Sequence, residues 1–319
     1  MTAPRSLAAV QRRQVLALAA VVVAVIAWAV GPIFVSQLSI SLPTIVLYRQ
    51  AIWLPVLFVL AKSVGDGFGR HHFSVAWKPG VFFALSSALS FGSFLNTTVA
   101  NATLIGSLTP AALLFLAPRL MGEKVTAKRV LFSMVSFAGV LAVVVEADSA
   151  SASSAHSLVG DAMAFGNMAM WTVYFLAAKR ARDEGMNTWS FLTGICLTNV
   201  MLALPWALIS SDDLLDVKPR DWMFLALMML IPGTMGHYLM TWAQRYLDTT
   251  VSSLITLGGP VISSVLAFVF LDQGIAAGQV VGGVVVLLGL GGVIMSTTSA
   301  RMTKSDTVGT ADPLLNSNP

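Results

Sequence analysis

Charge is what this sequence has least of. Lys, Arg, Asp and Glu make up 11% of its 319 residues, against about 25% in an ordinary soluble domain. With a mean hydropathy of +0.79, so few charges cannot cover a water-facing surface, which excludes both a soluble globular protein and a disordered one. Cysteine is nearly missing as well. The single Cys196 sits in an apolar run, so there is neither an intrachain disulfide framework nor a cysteine cluster for zinc. His71-His72 lacks Cys or carboxylate support, and no metal or other cofactor is expected. Phosphate-binding loops, ATPase motifs and clustered nucleophile and base residues are absent, which excludes a self-contained primary pump and an enzyme. The alternating pattern of a membrane barrel is also absent.

What is there is apolar sequence in long runs. Ten runs reach the length a bilayer requires, roughly 20 residues each: 15–36, 42–61, 79–97, 100–119, 128–147, 158–178, 188–210, 222–243, 250–271 and 276–297. The gaps between them are short and carry turn signals such as Gly65-Asp66-Gly67 and Met121-Gly122-Glu123-Lys124. In lipid every backbone polar group must be satisfied within its own segment, so these runs are helices. The expected fold class is an all-α polytopic membrane protein. The first run has a basic flank and an Ala27-Trp28-Ala29 that mimics a cleavage site, but it continues past Gly31-Pro32 to Val35. That is longer than a signal core, and it reads as an uncleaved first span.

The net charge of +4 reports orientation and not a nucleic-acid partner, because the basic residues fall between the runs. With a cytoplasmic N-terminus, sixteen of the nineteen lie in inside segments. Only Lys218 and Arg220 lie outside, and Arg49 is within a span. This is a strong positive-inside signal, which places both termini in the cytoplasm of a plasma (inner) membrane protein. The chain then divides into a cytoplasmic segment 1–14, a five-helix block 15–147, an outer linker 148–157, a second block 158–297 and a polar tail 298–319.

The two blocks resemble each other. Pro110 and Pro260, Glu123 and Gln273, and Gly139 and Gly289 are all separated by a constant 150 residues, and Trp28 answers Trp171. Five spans per block is an odd number, so the second block is inserted upside down relative to the first. Ten helices in two inverted five-helix repeats is an architecture of secondary transporters, where access alternates as one repeat rocks on the other.

A Trp-bearing first helix, the Leu47-Tyr48-Arg49 of the second and the Leu108-Thr109-Pro110 or Gly258-Gly259-Pro260 of the fourth recur in order. With a Gly-Glu-Lys turn and a Gly-rich fifth helix, this set resembles the EamA family of the drug/metabolite transporter superfamily over about residues 15–297. The resemblance implies a ten-helix exporter or exchanger of small metabolites, often amino acids or related compounds.

Arg49 is the sharpest candidate. A charge in a span costs a few kcal/mol unless it faces protein or water, and Arg49 lies roughly 9 Å below the outer start of its helix. It reads either as a site for an anion or carboxylate or a gating ion pair, with Tyr48 and Trp53 near it, or as a side chain that snorkels to the outer interface or binds helix-end carbonyls. Asp161 and Asp221 are the nearest candidates for a pairing. Pro110 and Pro260 sit mid-span at matching positions and should free the carbonyls of Gly106 and Thr256, a sign of a central cavity. Asn167, Trp171 and Tyr174 share one face of the sixth span. Trp28, Asn101, His237, Tyr238 and Trp242 complete the cavity candidates, with His237 a candidate for proton coupling. The Gly278 to Gly282 GxxxG suits packing within the chain, or a homodimer face. The expected partners are a small-molecule substrate and the lipid bilayer. An uncoupled facilitator, and a membrane receptor or assembly scaffold, are the rival readings; short loops leave the latter almost no docking surface.

Overall fold

A computed structural model of the chain describes residues 7–97, 102, 105–150, 158–271 and 275–309. Among these there is helix and no strand. The helices in order are α1 (Leu7–Ala29), α2 (Gly31–Ser36), α3 (Leu42–Ala51), α4 (Leu54–Ser63), α5 (Arg70–Asn96), α6 (Thr109–Met121), α7 (Ala127–Ala150) and α8 (Leu158–Asp183). They continue with α9 (Thr188–Ser210), α10 (Pro219–Met228), a π-helical stretch Met229–Gly236, and α11 (His237–Ala243). The last are α12 (Thr249–Ile255), a 3₁₀ turn Thr256–Gly258, α13 (Gly259–Leu271) and α14 (Ala277–Gly309). Among the described residues six helical stretches are long and apolar enough to cross a bilayer: Arg12–Val35, Leu42–Ser63, Thr188–Ser210, Pro219–Ala243, Thr249–Phe270 and Ala277–Met295. The expected spans 79–97, 128–147 and 158–178 fall in α5, α7 and α8. The expected span 100–119 runs over residues outside the described set into α6; of the expected linker 148–157, residues 148–150 continue α7 and 151–157 lie outside that set too.

Several of these stretches are broken where the sequence places proline. Pro32, Pro43, Pro55 and Pro110 each occupy the first turn of a helix, where no intrahelical N–H is required. Pro232 lies inside the π-helical stretch, an arrangement that absorbs the missing donor without ending the helix.

The elements pack as one bundle with two ends. At one end the Glu123 carboxylate accepts the backbone N–H groups of Thr249 and, at 3.0 Å, Thr250. Arg129 pairs with Asp248 at 3.1 Å, and Ser190 donates to the Gly67 carbonyl. At the other end Asp221 accepts from the N–H and hydroxyl of Ser39, both at 2.9 Å, and Asp213 accepts from Ser41 and Thr44. Partial burial works to raise the Asp213 carboxyl, but these hydrogen bonds outweigh it and hold it below the ordinary carboxylate range. Thr97 donates to Asp161 at 2.7 Å.

Matching elements of the two blocks meet. Helices α7 and α14 approach until their backbones touch. A Cβ on Gly139 would lie 2.7 Å from the carbonyl oxygen of Gly282, and one on Gly282 would lie 2.7 Å from that of Gly139. The GxxxG glycine is therefore used within the chain. Gly289 is tighter still, with its Cβ position 2.2 Å from Ser136 Oγ and 2.7 Å from Ser136 N. Gly289→Ala must push the helices apart, and overpacking of this kind costs about 1–3 kcal/mol. A thermal-unfolding midpoint lowered by several degrees in detergent is expected, and an unchanged midpoint would show that the seam yields.

Candidate functional site

In the middle of the bundle lies a cavity of ≈ 280 Å³. Trp28 reaches it from the last turn of α1, Arg49 from α3, Phe83, Ser86, Ser87, Ser90 and Phe91 from α5, Asn167 and Trp171 from α8, and His237 from the start of α11. Gly106, Thr109 and Thr256 complete it at the two breaks that precede or open α6 and α13. A smaller void of ≈ 20 Å³ adjoins, lined by Arg49, Tyr174, Thr234 and His237 among others.

The aromatic wall is a single interlocked group. Trp28 and Trp171, the matching tryptophans of the two blocks, meet edge to face with centroids 5.5 Å apart. His237 lies 5.2 Å from Trp28 and 5.0 Å from Phe83, and Tyr174 lies 5.1 Å from Trp171. The Trp28 indole N–H donates to the Pro232 carbonyl at 3.1 Å, so the π-helical stretch orients this ring. Gly236 leaves room for it: a Cβ there would lie 2.6 Å from Trp28 Nε1.

Hydroxyl groups also line the cavity. Ser86 Oγ donates to Asn167 Oδ1 at 2.7 Å, joining α5 to α8. Arg49 is 9% exposed, which removes the snorkelling alternative. One Nη donates to Ser87 Oγ at a long 3.4 Å, the guanidinium carbon sits 5.1 Å over the Phe91 ring, and Nε has no hydrogen-bond partner. Neither expected acidic partner reaches it. Asp221 is held by Ser39 and Asp161 by Thr97, because both carboxylates serve to tie helix ends together.

Of the residues expected from sequence, Trp28, Arg49, Asn167, Trp171 and His237 line the larger cavity and Tyr174 the smaller void. Three lie elsewhere. Tyr48 packs at a tilt against Trp222, with centroids 4.8 Å apart, and donates to the Leu214 carbonyl. Tyr238 stacks on Trp189 at 4.2 Å, and Trp242 packs on Tyr246 at 5.0 Å. Tyr48 and Tyr238 adjoin the cavity residues Arg49 and His237 in sequence, and on a helix such neighbours point about 100° apart. Asn101 lies outside the described residues. The prolines also need correction. Pro110 and Pro260 are not mid-helix kinks; each occupies the first turn of a new helix, α6 or α13. The Thr256 carbonyl is not free, since it accepts the Gly259 N–H. The serines of α5 went unread, although Ser86, Ser87 and Ser90 at spacings of one and four mark one helical face.

The match to known proteins agrees with this architecture. Residues 158–295 match the model of the EamA-like transporter family. The chain is similar to the uncharacterized transporter YyaM of Bacillus subtilis (strain 168), 24% identical over 208 residues covering 64% of this chain and 67% of YyaM. It is also similar to the protein PecM of Dickeya dadantii (strain 3937), 26% identical over 232 residues covering 72% of this chain and 70% of PecM. A crystal structure superposes with a TM-score of 0.73 at 16% identity, covering 88% of this chain and 97% of that one, a likeness of fold. The EamA-like match over the second block, the likeness to a protein named as a transporter and the apolar helices together support a multi-pass membrane transporter of EamA type.

Proposed function

We propose that the protein exports small organic metabolites, amino acids or related compounds, across the plasma membrane by alternating access, with ten spans in two inverted repeats and both termini cytoplasmic. The observation that carries this is the cavity, which is lined from both blocks and from the paired breaks at Gly106–Thr109 and Thr256. Supporting it, the end of the bundle tied by Glu123 and Arg129 carries the loops with most of the basic residues. The contacts Trp28–Trp171 and Gly139–Gly282 relate matching elements. In this reading α7 and α14 form a fixed seam, and the helices around the cavity rock against it.

The test combines topology with access. Reporters fused in the 61–78 loop and after Arg301 should read cytoplasm, and a reporter in 151–157 should read outside. In a Cys196→Ser background, Ser90→Cys and Thr256→Cys should react with a water-soluble maleimide, and from opposite sides of the membrane as conditions shift the carrier. One reporter on the wrong side overturns the inverted repeat. Reactivity fixed to a single side under every condition overturns alternating access.

A further inference from the structure

The cavity contains one fixed charge and nothing that balances it. Among the described residues no aspartate or glutamate lines it. The ion pairs among the described residues, Arg129–Asp248, Lys179–Asp183 and Arg180–Glu184, all lie outside the cavity. Arg49 itself is buried, with Nε unpartnered and only a long contact to a serine hydroxyl. A guanidinium keeps its charge at any accessible pH and offers a planar fork suited to a carboxylate. The same lining carries the hydroxyls of Ser86, Ser87, Ser90, Thr109 and Thr256. The lining also holds the Trp28–Trp171 pair with Phe83 and His237, flat ring surface suited to an aromatic body. A cavity of ≈ 280 Å³ is close to twice the roughly 150 Å³ that encloses benzene.

From this arrangement we infer that the transported species is a small organic monoanion with a planar apolar body, whose negative group pairs with Arg49, and that the carrier turns over only when so loaded. This rests on the transport reading above and, among amino acids and related compounds, selects the anionic relatives over the zwitterionic amino acids themselves. A zwitterion brings an ammonium, for which the cavity offers no carboxylate; the Asn167 Oδ1 already accepts from Ser86. The monoanion leaves the site neutral. The second half of the inference follows from the same charge. To change access, the cavity must pass through a form closed at both ends. With the anion bound, that form encloses a hydrogen-bonded pair. Empty, it encloses an unpaired guanidinium stripped of water, which is the unfavourable case for a buried charge. The empty carrier therefore stays where it is until another anion arrives, and net movement becomes one-for-one exchange.

The full-length protein in liposomes tests both halves with two probes that share a ring and a carboxylate, phenylpyruvate (net charge −1) and phenylalanine (net charge 0). Phenylpyruvate is expected to bind at least tenfold more tightly. Efflux of internal phenylpyruvate should rise at least tenfold when phenylpyruvate is added outside. Arg49→Gln should lose that binding by tenfold to a hundredfold and abolish the external stimulation. Arg49→Lys, which keeps the charge, should retain part of both and so separate loss of charge from loss of fold. Equal binding of the two probes, or efflux indifferent to external anion, overturns the inference while leaving a transporter. Tight binding of phenylpyruvate with no flux of either probe overturns the transport reading instead, and the carrier half of the inference with it.

Discussion

Gly236→Ala is expected to cut transport at least tenfold while leaving the helices folded. The added methyl would sit 2.6 Å from Trp28 Nε1 and 2.7 Å from Cδ1, distances no real Cβ adopts. The neighbour that must give way is the indole ring. Moving it breaks its hydrogen bond to the Pro232 carbonyl and carries the ring off Trp171. A displacement of about 1 Å in a positioning group can cost on the order of a hundredfold in rate. The backbone of the π-helical stretch is untouched, so alanine adds no conformational demand there. Initial rates of substrate efflux, compared at equal amounts of monodisperse protein, check this. Wild-type rates would mean that Trp28 does not set the shape of the cavity.

Asn167→Asp should have the larger effect on selectivity. The substitution keeps size and shape, and Ser86 Oγ can still donate to the same oxygen position at 2.7 Å. It nevertheless places a carboxylate in the cavity that Arg49 lines. An organic anion then meets a site whose charge is already balanced, and affinity for it is expected to fall at least tenfold. A zwitterion gains an acceptor for its ammonium, so the preference between phenylpyruvate and phenylalanine should narrow or reverse. Equilibrium binding of the two probes to the purified variant gives the ratio directly. A ratio equal to that of wild type would show that charge balance in the cavity does not govern what it accepts.

Much of the helical layout was legible because bilayer crossing demands a long apolar run, and such runs survive any later packing. The bounds of α9 coincide with the expected span 188–210. The breaks were less legible. The expected spans 15–36 and 42–61 run straight through Pro32 and Pro55, where new helices start, and nothing in Met229–Gly236 distinguishes a π-helix from an α-helix with one proline in it. For the site, rare residues were informative and common ones were not. Arg49, Asn167 and His237 stood out because an apolar span has to justify them. Ser86, Ser87 and Ser90 did not, since serine is tolerated on many membrane helices. The aromatic candidates divided according to helical phase: Trp171 and Tyr174 point inward, whereas Tyr48, Tyr238 and Trp242 turn onto Trp222, Trp189 and Tyr246.

The placement of Arg49 also bears on how the chain is made. As the second apolar stretch emerges, an arginine near the middle of a helix opposes its release into lipid by about 2.5–3.5 kcal/mol. Both groups that touch the guanidinium, Ser87 and Phe91, belong to α5, the next long helix to be synthesised. Helices α3 and α4 are thus suited to wait beside the insertion machinery and partition together with α5 as a hairpin, the arginine facing its partners from the outset. Their integration would then depend on a downstream segment, and a chain truncated before Ser87 should insert its second stretch less efficiently than one extended beyond Asn96.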